Sequence, residues 1–217
     1  MNIQQARFNM VEQQVRTWEV LDQNVLQLLG HAPRDEFVPE PYRTLAYADM
    51  CVPLAHGEAM MAPRVEARVL QALRLDAADR VLEVGTGSGF LTYLLAALAG
   101  HVVSIEIHED LLASARRRLE AHHAFNVTLD LGDGVRGRAA GAPYDVIAVT
   151  GSLPVLSEEF QRQLCIGGRM FVVVGEAPAM EALLIRRTAE DQWTTESLFE
   201  TVIPPLVGAP RRARFVF

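Results

Sequence analysis

The chain has little that could staple, anchor or charge it for a special environment. Two cysteines, Cys51 and Cys165, stand in 217 residues without a Cys-x-x-Cys spacing. That argues against a disulfide framework, and their apolar neighbours predict buried, reduced thiols. No run approaches the ~20 apolar residues needed to cross a bilayer. The segment Met1–Arg16 is polar and amphipathic and lacks the apolar centre of a signal peptide. Repeats, low-complexity tracts and linkers are also missing. The formal net charge of −7, with a pI near 5.4, argues against a nucleic-acid partner, since phosphate binding needs clustered cations. The two basic clusters, Arg116-Arg117-Arg118 and Arg211-Arg212 with Arg214, read as a solvated helix face and a solvated tail. His122-His123 point about 100° apart on a helix and lack ligand spacing, so no metal site is expected.

What is present is a core. Half of the residues are hydrophobic and 22% are charged, the balance of a cytoplasmic globular chain. Apolar residues at helical spacing predict helices over 4–15 and 20–30, the latter closed by Gly30. Pro33, Pro39, Pro41 and Pro53 then exclude a long helix. Pro63, a good first helical residue, opens a helix through Val65, Val69, Leu70 and Leu73. From Arg80 the texture changes to short apolar runs at 80–84, 101–105, 126–130, 145–149 and 169–174, which read as buried strands. Helical segments at 89–99, 108–122 and 155–165 alternate with them, and Gly167-Gly168 reads as a turn. Residues 182–188 and 193–203 read as an antiparallel hairpin stopped by Pro204-Pro205. The fold class is therefore α/β, a Rossmann-like doubly wound and mostly parallel sheet with an N-terminal helical cap and a C-terminal edge hairpin. One domain is expected over 1–217: cap and substrate loop at 1–79, α/β core at 80–175, edge strands and tail at 176–217.

Gly85-Thr86-Gly87-Ser88-Gly89 follows the first strand and opens a helix. Glycines there let the backbone approach a ligand, and the helix start supplies N–H groups and partial positive charge. Glu106 ends the next strand about 20 residues on, where an acid binds ribose hydroxyls. Asp133-Gly134 follows the third strand and can reach an adenine. These strand ends should line one crevice. Dinucleotide sites favour Gly-x-Gly-x-x-Gly. Here the spacing is Gly-x-Gly-x-Gly, and Glu83 before it repels a pyrophosphate but suits a sulfonium, which favours S-adenosylmethionine over NAD.

The series Glu83–Gly89, Val103–Glu106, Gly132–Gly134 and Tyr144–Thr150 resembles the motifs of protein-L-isoaspartate O-methyltransferases. So do Met10–Val15, Phe37-Val38-Pro39, Ala46–Asp49, Gln163-Leu164, Gly167-Gly168-Arg169 and Pro205–Gly208, in order over nearly the whole chain. The resemblance implies a class I methyltransferase fold, with S-adenosylmethionine as donor and S-adenosylhomocysteine as product. It implies the loop Gly85, Thr86, Gly87, Ser88 and Gly89 at the methionine end, Glu106 with Ile107 at the ribose, and Asp133-Gly134 at the adenine. The partner it implies is a peptide or protein carrying a damaged aspartyl carboxylate.

One stretch departs from the pattern. Where the family resembles Gly-Gln-Thr-Ile-Ser-x-Pro, this chain reads Gly57-Glu58-Ala59-Met60-Met61-Ala62-Pro63. Ala59 and Met61 occupy the threonine and serine positions, and Glu58 the glutamine position. A hydroxyl can orient an acceptor carboxylate by a charge-assisted hydrogen bond, and methionine cannot. The acceptor is therefore a damaged aspartyl carboxylate or a different, small or apolar group. Alternatively the chain binds the donor without catalysis. His56, Glu58, Met60 and Met61 are the substrate-loop candidates, and Ser152 is expected to cap or line the cleft.

Overall fold

In the computed structural model, residues 2–210 are described; the Arg211, Arg212 and Arg214 cluster lies outside them. The front of the chain is a series of short helices. Helix α1 (Ile3–Met10) is capped by Asn2, runs into a wide turn at Val11–Val15, and ends in a tight one at Arg16–Trp18. Helix α2 (Gln23–His31) starts where the Asp22 carboxylate accepts from the N–H groups of Asn24 and Val25. Gly30 lies inside this helix rather than beyond its end, and Ala32 closes it. The proline-rich stretch holds α3 (Arg34–Phe37), a tight turn at Glu40–Leu45, and the two-residue strands β1 (Val52–Pro53) and β2 (Ala59–Met60), which pair antiparallel. Helix α4 (Pro63–Leu73) begins on Pro63 as expected.

The core then alternates: β3 (Arg80–Val84), α5 (Phe90–Leu98), β4 (His101–Glu106), α6 (Glu109–Ala121), β5 (Val127–Leu131), β6 (Tyr144–Leu153), α7 (Glu158–Arg162), β7 (Leu164–Glu176), β8 (Ala179–Ala189) and β9 (Gln192–Glu200). The sheet order is β5-β4-β3-β6-β7-β8-β9. The first five strands run parallel, and β8 and β9 add antiparallel. This is the expected α/β architecture with its edge hairpin. The order reverses between β3 and β6, which opens a crevice at the carboxyl ends of the parallel strands.

Successive residues of each strand feed opposite faces of the sheet. Val81, Val146, Ala148, Phe171 and Val173 join one hydrophobic cluster with the N-terminal helices, α4 and α5. Leu82, Val84, Ile147, Val149, Met170 and Val172 join the other, with Phe160 and Leu164. The front segment is thus packed onto one face of the sheet.

Several expectations need correction. Strand β5 is only partly buried, because it is the edge and pairs with β4 alone. The helix expected at 155–165 is confined to α7; the chain from Leu164 onward, Gly167-Gly168 included, is already strand. Strand β9 ends at Glu200, before the prolines. Cys51 is exposed and Cys165 half-buried, both free, and the Cys165 thiol donates to Asp145 Oδ1 at 3.3 Å. Arg116 and Arg117 face solvent, while the half-buried Arg118 donates to the Ser88 carbonyl. Among the described residues no helix is long and apolar enough to cross a membrane.

Candidate active site

The glycine turn sits where β3 ends, over the reversal of strand order. Gly85 has φ 99° and Gly87 φ 53°, values that L side chains rarely adopt. A Cβ on Gly85 would also fall 2.3 Å from Thr150 Oγ1. The reason is local: the Thr150 hydroxyl donates to the carbonyls of Val84 and Gly85, at 2.8 Å each, and so clamps β3 to β6 under the turn. The N–H groups of Gly85 and Thr86 both donate to the Ile105 carbonyl, tying the turn to β4.

Glu106 closes β4 directly beside this turn. Its Oε2 accepts from the Gly87 N–H at 2.8 Å and its Oε1 from the His108 N–H at 3.0 Å. A carboxylate held by two backbone donors is fixed in place and keeps further lone pairs for a ligand. Asp133, after β5, folds its own Oδ1 onto the Val135 N–H and stays exposed. An open pocket is lined by Gly85, Gly87, Glu106, Ile107, Asp133, Gly134 and Thr150. The ends of β3 and β4 and the turn after β5 therefore meet in one crevice, and Thr150 of β6 joins them. Gly134 fits it tightly: a Cβ there would lie 2.7 Å from Val84. The donor set and the glycine-bared wall fit an adenosine: an acid at the ribose level, backbone and small residues at the base.

The sequence-derived residues do not all lie on this wall. Thr86 and Ser88 line a second, smaller cavity, and Gly89 lines neither. Ser152 is buried off the wall and donates to the Ile203 carbonyl. Glu83 also lies behind the turn. Its Oε2 accepts from Thr92 and Ser104 at 2.5 Å each, while Oε1 is buried without a partner. Burial pushes this carboxyl up to about 8, so it is largely neutral at pH 7 and brings little negative charge to the cleft. An unfolded glutamate ionises near 4.3. Folding thus binds this proton between the two values, and the stability from Glu83 declines as pH rises from about 5 to 8. Glu83→Gln is expected to remove that decline, read as a melting temperature that rises relative to wild type over the same interval.

The smaller cavity adjoins the turn and is walled by Ala59, Met60, Met61, Leu91 and Glu66. Met60 and Met61 are both core residues and part of that wall. Among the described residues no Arg or His side chain lines either cavity, and the chain contains no lysine. Arg34 lies fully buried behind the wall. It donates to the Ala46 carbonyl (2.8 Å), to the Met61 carbonyl (2.6 Å) and to the Glu66 carboxylate. Burial raises the Glu66 carboxyl to about 7, against the pull of Arg34.

Above the Glu106 end the strap from Leu54 to Glu58 closes on the β4–α6 junction. His56 (φ 61°) stacks on His108 with ring centres 4.0 Å apart and donates to Asp110 Oδ1 at 2.8 Å. Glu58 lines the larger cavity rather than pointing to solvent. His122 and His123 separate: His122 stacks on Phe37 and pairs with Glu36 at 3.1 Å.

Sequence reasoning missed Thr150, Leu54, Leu206 and Val207 on the larger wall, and the Arg34–Glu66 pair. A signal existed for two of them. Thr150 follows the last β6 residue paired with β3, and Glu66 shares the apolar stripe of α4 with Leu70 and Leu73.

Comparison with known proteins agrees with this geometry. Residues 5–210 match the family model described as Protein-L-isoaspartate(D-aspartate) O-methyltransferase (PCMT). Protein-L-isoaspartate O-methyltransferase 2 of Pelobacter propionicus is 37% identical over 209 residues, covering 96% of this chain and 93% of that protein. Protein-L-isoaspartate O-methyltransferase 1 of Rhodopseudomonas palustris is 39% identical over 203 residues, covering 93% and 83%. Among solved structures, a protein-L-isoaspartate O-methyltransferase superposes with a TM-score of 0.79 at 25% identity; the match covers 92% of this chain and 65% of the other. A Plasmodium falciparum relative, solved with S-adenosyl-L-homocysteine, shares the fold with a TM-score of 0.76 at 19% identity, over 95% and 98% of the two chains.

Proposed function

Because the chain belongs to the protein-L-isoaspartate O-methyltransferase family, we propose that it is a cytoplasmic S-adenosylmethionine-dependent methyltransferase, one domain over 1–217, with the family's donor half and a remodelled acceptor half. The observation that carries this is the single cavity in which Gly85, Gly87, Glu106, Asp133, Gly134 and Thr150 converge. In this reading Glu106, with Ile107 beside it, takes the ribose hydroxyls, and Asp133-Gly134 lie at the base. Thr86 and Ser88 face the methionine end, Gly89 sets the start of α5, and Glu83 supports the turn from behind.

When bound, S-adenosylmethionine supplies a sulfonium methyl open to nucleophilic attack. An acceptor carboxylate is already ionised at pH 7, so no side chain is needed as a base. The chain's part is to exclude water and align the acceptor, and Leu54, Met60, Met61 and Leu91 give that side of the site a dry wall. Among the described side chains of that wall, few donors are left to hold a carboxylate: the Ser88 hydroxyl, which accepts from the Phe90 N–H, is the one not already donating. Thr86 shares its hydroxyl with Ser104, Thr150 spends its hydroxyl on backbone carbonyls, and Arg34 is held by Glu66 and two carbonyls. The reading therefore makes an isoaspartyl carboxylate a poor acceptor and an apolar or aromatic-bodied one a better fit. The same scarcity of donors also favours a second reading, in which the chain binds the donor molecule without transferring its methyl.

Calorimetry with S-adenosylhomocysteine and NAD tests the donor half. One S-adenosylhomocysteine per chain, bound more tightly than NAD, is the expected result, and tighter NAD binding overturns the proposal. Labelled methyl donor with an isoaspartyl peptide then tests the acceptor half. Slow transfer supports a remodelled acceptor side, and none with the donor still bound supports the second reading.

A further inference from the structure

We propose that Glu58 is a second carboxylate of the donor site, set opposite Glu106 on the ribose hydroxyls and positioned by His108, and that it is not an acceptor contact. The proposal rests on the reading above, in which the larger cavity takes S-adenosylmethionine. Three observations place Glu58 there. It lines the larger cavity together with Glu106 and is absent from the smaller one, where Met60 and Met61 lie. The strap that carries it is tightly folded, with the Leu54 N–H on the Glu58 carbonyl at 2.8 Å and the Glu58 N–H on the Ala55 carbonyl at 3.1 Å. The strap is also anchored to the very segment that presents Glu106, through the His56–His108 stack and the His56–Asp110 hydrogen bond.

The chemistry follows from the ligand. A vicinal diol offers two hydroxyl donors, and Glu106 already spends lone pairs on Gly87 and His108. A second carboxylate gives each hydroxyl an acceptor of its own. His108 Nε2 is buried without a hydrogen-bond partner and lies 3.9 Å from Glu58 Oε1, so it holds the Glu58 side chain toward the cavity. Before a ligand arrives the arrangement is strained by charge. Burial and then the Glu106 carboxylate raise the Glu58 carboxyl above its ordinary value, against His108 and His56. Asp133 lines the same cavity and Asp110 lies behind His56, so the surrounding acids add to that field. Two hydroxyl donors placed between the acids favour the ionised Glu58. Binding therefore releases a proton, and affinity falls as pH is lowered, starting above the range where an ordinary carboxylate titrates.

The test is calorimetry of wild type, Glu58→Ala and Glu58→Gln with S-adenosylhomocysteine and with its 2′,3′-dideoxy analogue, between pH 7.5 and 5.5. Melting curves verify that each variant is folded. Glu58→Ala is expected to weaken S-adenosylhomocysteine about tenfold, the loss of one charge-assisted hydrogen bond, and to bind the dideoxy analogue as wild type does. Glu58→Gln should flatten the acid-side loss seen in wild type. If Glu58→Ala binds S-adenosylhomocysteine as tightly as wild type, the proposal is overturned. An equal loss for both ligands overturns the assignment to the diol. If wild type itself fails to bind S-adenosylhomocysteine, the donor reading falls and this proposal falls with it.

Discussion

Replacing Arg34 by methionine is expected to destabilise the protein by about 3–5 kcal/mol, the cost of leaving one partner of a buried ion pair alone. For a chain of this size that corresponds to a fall of roughly 10 °C in melting temperature. Arg34 and Glu66 are both about 1% exposed, so neither charge is relieved by water. Arg34 also satisfies the carbonyls of Ala46 and Met61, and its guanidinium lies over the Phe90 ring with the centroid 5.0 Å away. Methionine keeps the apolar stem but leaves both carbonyls and Glu66 unpaired. Without Arg34 the Glu66 carboxyl, already raised to about 7, rises further and protonates. Wild type and variant both lose stability as pH rises from about 4.3 to 7, so the deficit of the variant should grow only above about pH 7, where wild-type Glu66 ionises and the variant's does not. A second change, Glu66→Leu, should restore the part of the stability lost through the unpaired Glu66, while the Ala46 and Met61 carbonyls stay bare. The double-mutant cycle by thermal denaturation would then show a coupling of several kcal/mol. A loss below 1 kcal/mol for Arg34→Met alone would contradict this role for the pair.

The pair also marks the limit of what the sequence reveals. Arg34 and Glu66 are 32 positions apart, one in a proline-rich stretch and one in a helix, and no local pattern joins them. Strands β3, β4 and β6 were legible because central parallel strands are continuous apolar runs bounded by polar turns. Strand β5 was legible in position but not in burial, since a run of residues does not announce that it will be an edge. Strand β7 was misjudged at its start because Gly167-Gly168, a strong turn signal, is absorbed into a strand whose Gly167 takes φ 87°. Cys51 was expected inside because its neighbours are apolar, yet it precedes a two-residue strand and its side chain faces out.

The site shows the same division. Gly85, Gly87, Glu106, Asp133 and Gly134 were legible because the parallel topology forces those strand ends together. Glu83 was legible as an acid before the turn, but its direction required the period of two: Val81 and Glu83 face α5, while Leu82 and Val84 face the other side. Glu58 could not be oriented from sequence, since its place follows from the fold of the strap and its anchoring on His108 and Asp110, residues about 50 positions away.

The proposed departure of this chain from its family lies at the acceptor wall. Changing Ala59 to threonine and Met61 to serine together returns two hydroxyls to a cavity that borders the glycine turn. Each charge-assisted bond to an acceptor carboxylate is worth roughly 1.5–3 kcal/mol, so the pair could raise carboxyl methylation by about a hundredfold or more. The cost is packing, because Met61 is a core residue and a buried methionine shortened to a small side chain loses about 2–5 kcal/mol. Arg34 still holds the Met61 carbonyl, which keeps the backbone of the wall in place. The most direct measurement is therefore the rate of labelled methyl transfer to an isoaspartyl peptide by wild type and by Ala59→Thr/Met61→Ser, with a melting curve for each. A remodelled acceptor half predicts slow transfer by wild type and a gain of at least tenfold in the folded double variant. Rapid transfer by wild type, equal to or above that of the double variant, would contradict it.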